Sequence, residues 1–207
     1  MNNNKAHRAY TVRNILDKKY KLFPFEEKWK DAFSQPEQSG VWFVWGNSGN
    51  GKTSFVLQLI KELSKYKRVL FNSLEEGLSF TLKEGLSNIG MQDVGRRLLI
   101  VSEPSPLLEQ RLLKHKSPDI VIIDSFQYFQ LSYKQYIEFK TKFPNKLLIF
   151  ISHADGKNPS GRSAKSVMYD ATLKIWVEGY RAFSKGRYIG EKGVYVIWEQ
   201  GALKYGE

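Results

Sequence analysis

The 207-residue chain contains no cysteine. Disulfide bonds and thiolate metal sites are therefore excluded, and a reducing, cytoplasmic compartment is the natural expectation. No apolar run is long enough to cross a bilayer, and the polar N-terminus carries no signal-type apolar core, so no membrane partner is expected. Acidic residues are scarce beside basic ones, 21 against 32, which leaves a net charge of +11 and a pI of about 9.6. Such an excess suggests a polyanionic partner, most simply nucleic acid, although lysines scattered along a generally basic chain produce the same total. Internal repeats, coiled-coil heptads and low-complexity segments are also missing.

Against these absences stands one complete motif. Gly46-Asn47-Ser48-Gly49-Asn50-Gly51-Lys52-Thr53 matches G-x-x-x-x-G-K-T at every fixed position. The glycines let backbone N–H groups fold around the phosphates of a nucleotide such as ATP. Lys52 adds a positive charge, and Thr53 offers a hydroxyl to Mg²⁺. The flanks agree: the apolar, β-prone run 41–45 precedes the motif, and Phe55, Val56, Leu59, Ile60 and Leu63 follow at helical spacing. A helix beginning near Lys52 aims its N-terminus at the phosphates.

Residues 1–39 read as a basic extension with short helices near 11–20 and 26–33, closed by the turn-rich linker 34–40. From residue 40 to 207 the pattern is that of one α/β domain. Strands are expected at 67–73, 98–102, 120–124 and 147–152, with helices near 78–89, 107–116 and 133–142 between them. That alternation implies a mainly parallel sheet covered by helices on both faces. The last forty residues change character: 172–177, 180–188 and 194–199 are β-branched and aromatic, punctuated by glycine, and predict antiparallel strands closing the sheet edge.

Several residues fall where such a sheet binds ligands, at the C-terminal ends of its strands. Asp124 ends the run 119–124 and is placed to hold Mg²⁺ through water beside Thr53. Glu75 and Glu76 follow the strand 67–73, and a carboxylate there can orient and deprotonate the water that attacks the γ-phosphate. Strand alternation turns only one of the two toward the nucleotide, with Glu75 preferred, while spacing alone equally allows both to open the next helix. His153 follows 147–152 in the same way and is a candidate γ-phosphate sensor, although a lone histidine is more often an ordinary surface residue. The polar, basic loop 154–165 and the aromatics of 125–129 are candidate nucleic-acid contacts. Lys185 and Arg187 lie far from the phosphate loop in sequence, and by sequence alone they read as a solvent-facing pair on a hairpin.

Taken in order, these motifs resemble the RecA-like P-loop ATPase core, most closely that of RadA/Sms-type proteins and DnaB-type helicases. The residues carrying the likeness are Gly46–Thr53, Phe71-Asn72-Ser73-Leu74-Glu75-Glu76, the strand 120–124 followed by Ser125, Ile149-Phe150-Ile151-Ser152-His153, the stretch 169–179, and Lys185-Gly186-Arg187-Tyr188-Ile189-Gly190. The resemblance covers roughly residues 40–205 and the core only, with neither the zinc module nor the protease-like domain of full-length RadA/Sms expected here. It implies an ATP hydrolase using Mg²⁺, coupled to DNA, in particular single-stranded DNA, during recombination, repair or replication. It also implies self-association into a ring or filament. Glu75 becomes the water-activating carboxylate and His153 the γ-phosphate sensor, while Lys185 and Arg187 act on a neighbouring subunit's nucleotide. The loops after Asp124 and His153 become the DNA-facing ones. Two other readings remain: an ATP-switched assembly or loading factor with little turnover, and a small-molecule phosphotransferase.

Overall fold

In the computed structural model, which describes residues 9–205, the apolar runs assemble into one sheet. Two short helices, α1 (Val12–Leu16) and α2 (Glu27–Phe33), lead into β1 (Gly40–Gly46) and then α3 (Lys52–Ser64). β2 (Val69–Ser73), α4 (Phe80–Asn88), a 3₁₀ segment (Met91–Arg97), β3 (Leu98–Val101) and α5 (Ser105–Leu112) follow. Next come β4 (Ile120–Asp124), α6 (Phe126–Phe129), α7 (Tyr133–Lys142), β5 (Leu147–Asp155), β6 (Asn158–Pro159) and α8 (Arg162–Asp170). The chain closes with β7 (Leu173–Glu178), β8 (Arg181–Ser184), β9 (Val194–Val196) and α9 (Glu199–Lys204).

The strand order is β3-β2-β4-β5-β1-β7-β8-β9, with β6 paired to β5 off this path. Pairing is parallel from β3 through β7 and antiparallel for β7–β8 and β8–β9, as the sequence leads one to expect. Alternation along β1 divides the core between two faces. Trp42 and Val44 pack with Phe55, Leu59 and Leu63 of α3, while Phe43 and Trp45 share the opposite face with Tyr136, Phe139 and Val167 from α7 and α8. Buried on both sides, β1, β4 and β5 show near-continuous apolar runs instead of alternation.

Residues 23–33 belong to the first of these cores. Phe23, Phe25, Trp29 and Phe33 are buried, and the Trp29 ring stacks on Tyr195 with centroids 4.3 Å apart. The last carbonyls of α2 are satisfied from the loop ahead of β9: Ala32 accepts from Gly190 N, and Asp31 from Lys192 N and Gly193 N. By contrast α1 buries no residue, and Val12 and Leu16 are 77% and 79% exposed. Trp29→Ala is therefore expected to cost about 3–5 kcal/mol, as for other large core truncations. Chemical denaturation checks this, and a loss below about 1 kcal/mol would detach the segment from the core.

Several expected boundaries move. The helix expected over 11–20 ends at Leu16, where Asp17 caps it. The loop 154–165 is a loop only in part, because β5 runs on to Asp155, β6 takes Asn158–Pro159 and the first turn of α8 starts at Arg162. The β stretch expected over 180–188 stops at Ser184, since Lys185 N and Arg187 N fold back onto the Lys174 and Thr172 carbonyls. The stretch 194–199 holds only the short β9 before α9 begins.

Candidate active site

β1 and α3 are joined by the five residues of the phosphate loop, and two glycines make that join possible. Gly46 lies between β5 and β7, and a Cβ there would sit 2.3 Å from the Val177 carbonyl oxygen. Gly51 caps α3 in the left-handed region at φ +89°, with the Tyr180 ring 2.9 Å from where its Cβ would be. The loop is thus packed against the β7–β8 turn. Asn50 secures the contact: its Oδ1 accepts from Gly179 N at 2.8 Å and its carbonyl from Tyr180 N at 3.2 Å. Asn47 Nδ2 donates to the Gly156 carbonyl at 3.2 Å. Both asparagine side chains therefore hold neighbouring turns, and phosphate would be cradled by the loop backbone and the first-turn amides of α3.

Lys52 and Thr53 open onto a cleft of about 840 Å³ whose lining also includes Glu75, Glu76 and Asp124. The chain brings these together through strand register. Ser73 lies opposite Asp124 on the paired strands β2 and β4, and the Asp124 carbonyl accepts from Leu74 N at 2.6 Å and Glu75 N at 3.1 Å. That clamp bends the chain just beyond β2. Both glutamates consequently line the cleft, because strand alternation stops at Ser73, contrary to the expectation that only one would face it. They are held differently: Glu75 Oε2 lies 2.8 Å from His153 Nε2, whereas Glu76 Oε1 accepts from Ser79 Oγ at 3.1 Å and from Thr81 Oγ1.

Burial pushes the Asp124 carboxyl up to about 6, with Glu75 adding to the shift and Lys52 and His153 opposing it. A carboxyl in that position gains from a cation beside it. Among the described residues no group of three or more histidine or acidic side chains could hold a metal alone. The donor set of one hydroxyl and one carboxyl fits Mg²⁺ carried in with phosphate oxygens and water, rather than a cation caged by protein.

His153 lies beside the phosphate loop because β5 pairs with β1 in a register that sets it against Gly46. It reaches the cleft through Glu75. Lys185 and Arg187 do not line that cleft. Lys185 borders a small groove with Trp45 and Trp176, its Nζ 5.8 Å from the Phe183 ring centroid, and Arg187 is exposed on the sheet rim near Asp170.

Of the aromatics after Asp124, Phe126 and Phe129 are buried in the second core and cannot stack on bases. Tyr128 alone among them is exposed, its ring 6.4 Å from that of His153. Sequence reasoning passed over the far wall of the cleft, formed by Tyr180, Ile197 and Trp198. The glycine beside Tyr180 was the available signal, since it announces a tight turn facing the phosphate loop. Gln127 was also passed over, a polar residue standing among the three aromatics read for stacking.

No protein-family model matches the sequence, and no curated protein matches it. Solved structures do. The chain superimposes on the flagellar accessory protein FlaH from Methanocaldococcus jannaschii with a TM-score of 0.61 and 13% identity, covering 86% of this chain and 92% of that one. It superimposes on a KaiC-like protein from the hyperthermophilic archaeon Pyrococcus horikoshii with a TM-score of 0.58 and 18% identity, over 86% and 97% of the two chains. At such identities the likeness speaks for the fold alone. With the phosphate loop after β1, Asp124 ending β4 and an antiparallel C-terminal edge, the chain has the RecA-like P-loop fold.

Proposed function

We propose that the chain is a Mg²⁺-dependent ATPase of the RecA type that acts on DNA as a self-associated ring or filament. The observation that carries the reading is the single cleft onto which Lys52, Thr53, Glu75 and Asp124 all open at the N-terminus of α3. The loop backbone and Lys52 bind the ATP phosphates, and the α3 dipole adds to their field. Thr53 and Asp124 would hold Mg²⁺, which supplies positive charge to the phosphate oxygens when bound. Glu75 orients a water molecule and takes its proton as the water oxygen bonds to the γ-phosphorus and the bond to the bridging oxygen breaks. His153, hydrogen-bonded to Glu75, senses the γ-phosphate. Lys185 and Arg187, displaced from their own cleft, serve the nucleotide of an adjoining copy.

The DNA reading is supported by the net charge of +11 and by the exposed side chains of Lys157, Arg162 and Lys165, which follow His153 in the turn and α8. Tyr128 offers one exposed ring for stacking beside them. A second reading, a nucleotide-switched assembly factor with little turnover, draws on the contact between Glu75 and His153, which occupies the carboxylate needed to hold water. Phosphate release measured with and without single-stranded DNA separates the two. Turnover that rises with DNA supports the first, and tight ATP binding without release supports the second.

A further inference from the structure

The side-chain amide of Gln127 is fully engaged. Its Nε2 donates to Ser152 Oγ and to the Ser160 carbonyl, each at 2.8 Å, and its Oε1 accepts from His153 N at 3.3 Å. Those bonds use both amide hydrogens and the carbonyl oxygen. Gln127 sits on α6, which begins two residues after Asp124, so one side chain ties the end of β4 to the end of β5 and to the residue before the cap of α8. Ser152 is fully buried, and Ser160 N returns a bond to the His153 carbonyl at 2.9 Å. The same turn is pinned twice more from the phosphate-loop side, by Trp45 Nε1 to the Lys157 carbonyl at 3.1 Å and by Asn47 Nδ2 to the Gly156 carbonyl.

We propose that Gln127 is a positioning residue for the γ-phosphate, holding the His153 backbone so that the imidazole meets Glu75 while fixing the 156–160 turn. The inference rests on the ATPase reading. Its physical content is selectivity. Gln127 touches the histidine and the turn, and none of its three bonds goes to the phosphate loop or to Lys52. Its loss therefore disturbs the part of the site that meets the γ-phosphate and the attacking water. The cradle for the inner phosphates is left as it was. A merely structural amide would instead weaken every nucleotide alike, through general loosening of the fold.

The test is binding of Mg·ADP and of Mg·AMP-PNP by titration calorimetry, with kcat and KM for ATP, in wild type, Gln127→Ala and Gln127→Glu. For Gln127→Ala we expect ADP affinity to stay within about twofold while AMP-PNP affinity and kcat each fall about tenfold, the scale of one lost buried hydrogen bond. Gln127→Glu keeps an acceptor for His153 N but loses both Nε2 donors, to Ser152 Oγ and to the Ser160 carbonyl, and should fall between. If the alanine variant does not fold, the glutamate variant carries the same comparison. Equal weakening of ADP and AMP-PNP, or no change in either, overturns the positioning role. A wild-type chain that binds neither nucleotide removes the ATPase reading itself and the inference with it.

Discussion

Glu75→Gln is expected to lower ATP turnover by about 10²–10⁴-fold, the usual worth of a positioned general base, while ATP still binds. The substitution keeps the size and one acceptor oxygen of the side chain but removes the group that can take a proton. Little else changes, because Glu75 contributes no packing to either core and its main-chain bond to the Asp124 carbonyl persists. Glu76 lines the same cleft but is held more firmly, its Oε1 accepting from both Ser79 Oγ and Thr81 Oγ1, whereas Glu75 is bonded to the His153 imidazole, which itself belongs to the γ-phosphate side of the site. Single-turnover phosphate release, run beside equilibrium ATP binding, separates the two effects. Unchanged release would take the base role from Glu75, and lost binding would mean that the carboxylate holds the site together instead.

Arg187→Ala is expected to reduce turnover by about 10³-fold or more, the scale of an arginine supplied to a phosphoryl-transfer site by a neighbour. Within one chain Arg187 cannot do this. The Arg187 N bond to the Thr172 carbonyl places it on the rim of the sheet, beside Asp170 and away from the cleft. The decisive form of the experiment mixes two inactive variants. Arg187→Ala supplies an intact Glu75, Glu75→Gln supplies an intact Arg187, and a mixed assembly restores sites containing both. Recovered phosphate release on mixing is the expected result. Full activity of Arg187→Ala alone, or no recovery, would leave Arg187 as a surface residue.

The parts of the site that were legible in the sequence are those fixed by short-range chemistry. Gly46 to Thr53 is a contiguous pattern, and Asp124 and His153 each end an apolar run long enough to be a strand. Once those runs lie parallel, their ends fall on one edge. What stayed hidden depends on partners distant in the chain. Gln127 is bonded to residues 25–33 positions away, so nothing beside it announces a role. The facing of Glu76 depends on where β2 stops, and the Asp124 carbonyl sets that point from another strand. The polar residues 162–165 read as the end of a loop, yet they form the first turn of α8, where Ala164, Val167 and Met168 are buried at the i, i+3, i+4 spacing of a helix face. The aromatics at 23–33 read as part of an extension because a Pro- and Gly-containing linker follows them. Their burial against Tyr195 needs β9, whose position in the sheet local pattern does not reveal.

All of these expectations depend on the cleft turning over ATP. The most direct measurement is steady-state phosphate release by the purified wild-type chain with saturating ATP, in Mg²⁺ and in EDTA, with and without single-stranded DNA. Release that requires Mg²⁺ and rises with DNA is the expected result. A chain that binds no ATP, or hydrolyses it no faster than buffer under every one of these conditions, would contradict the account.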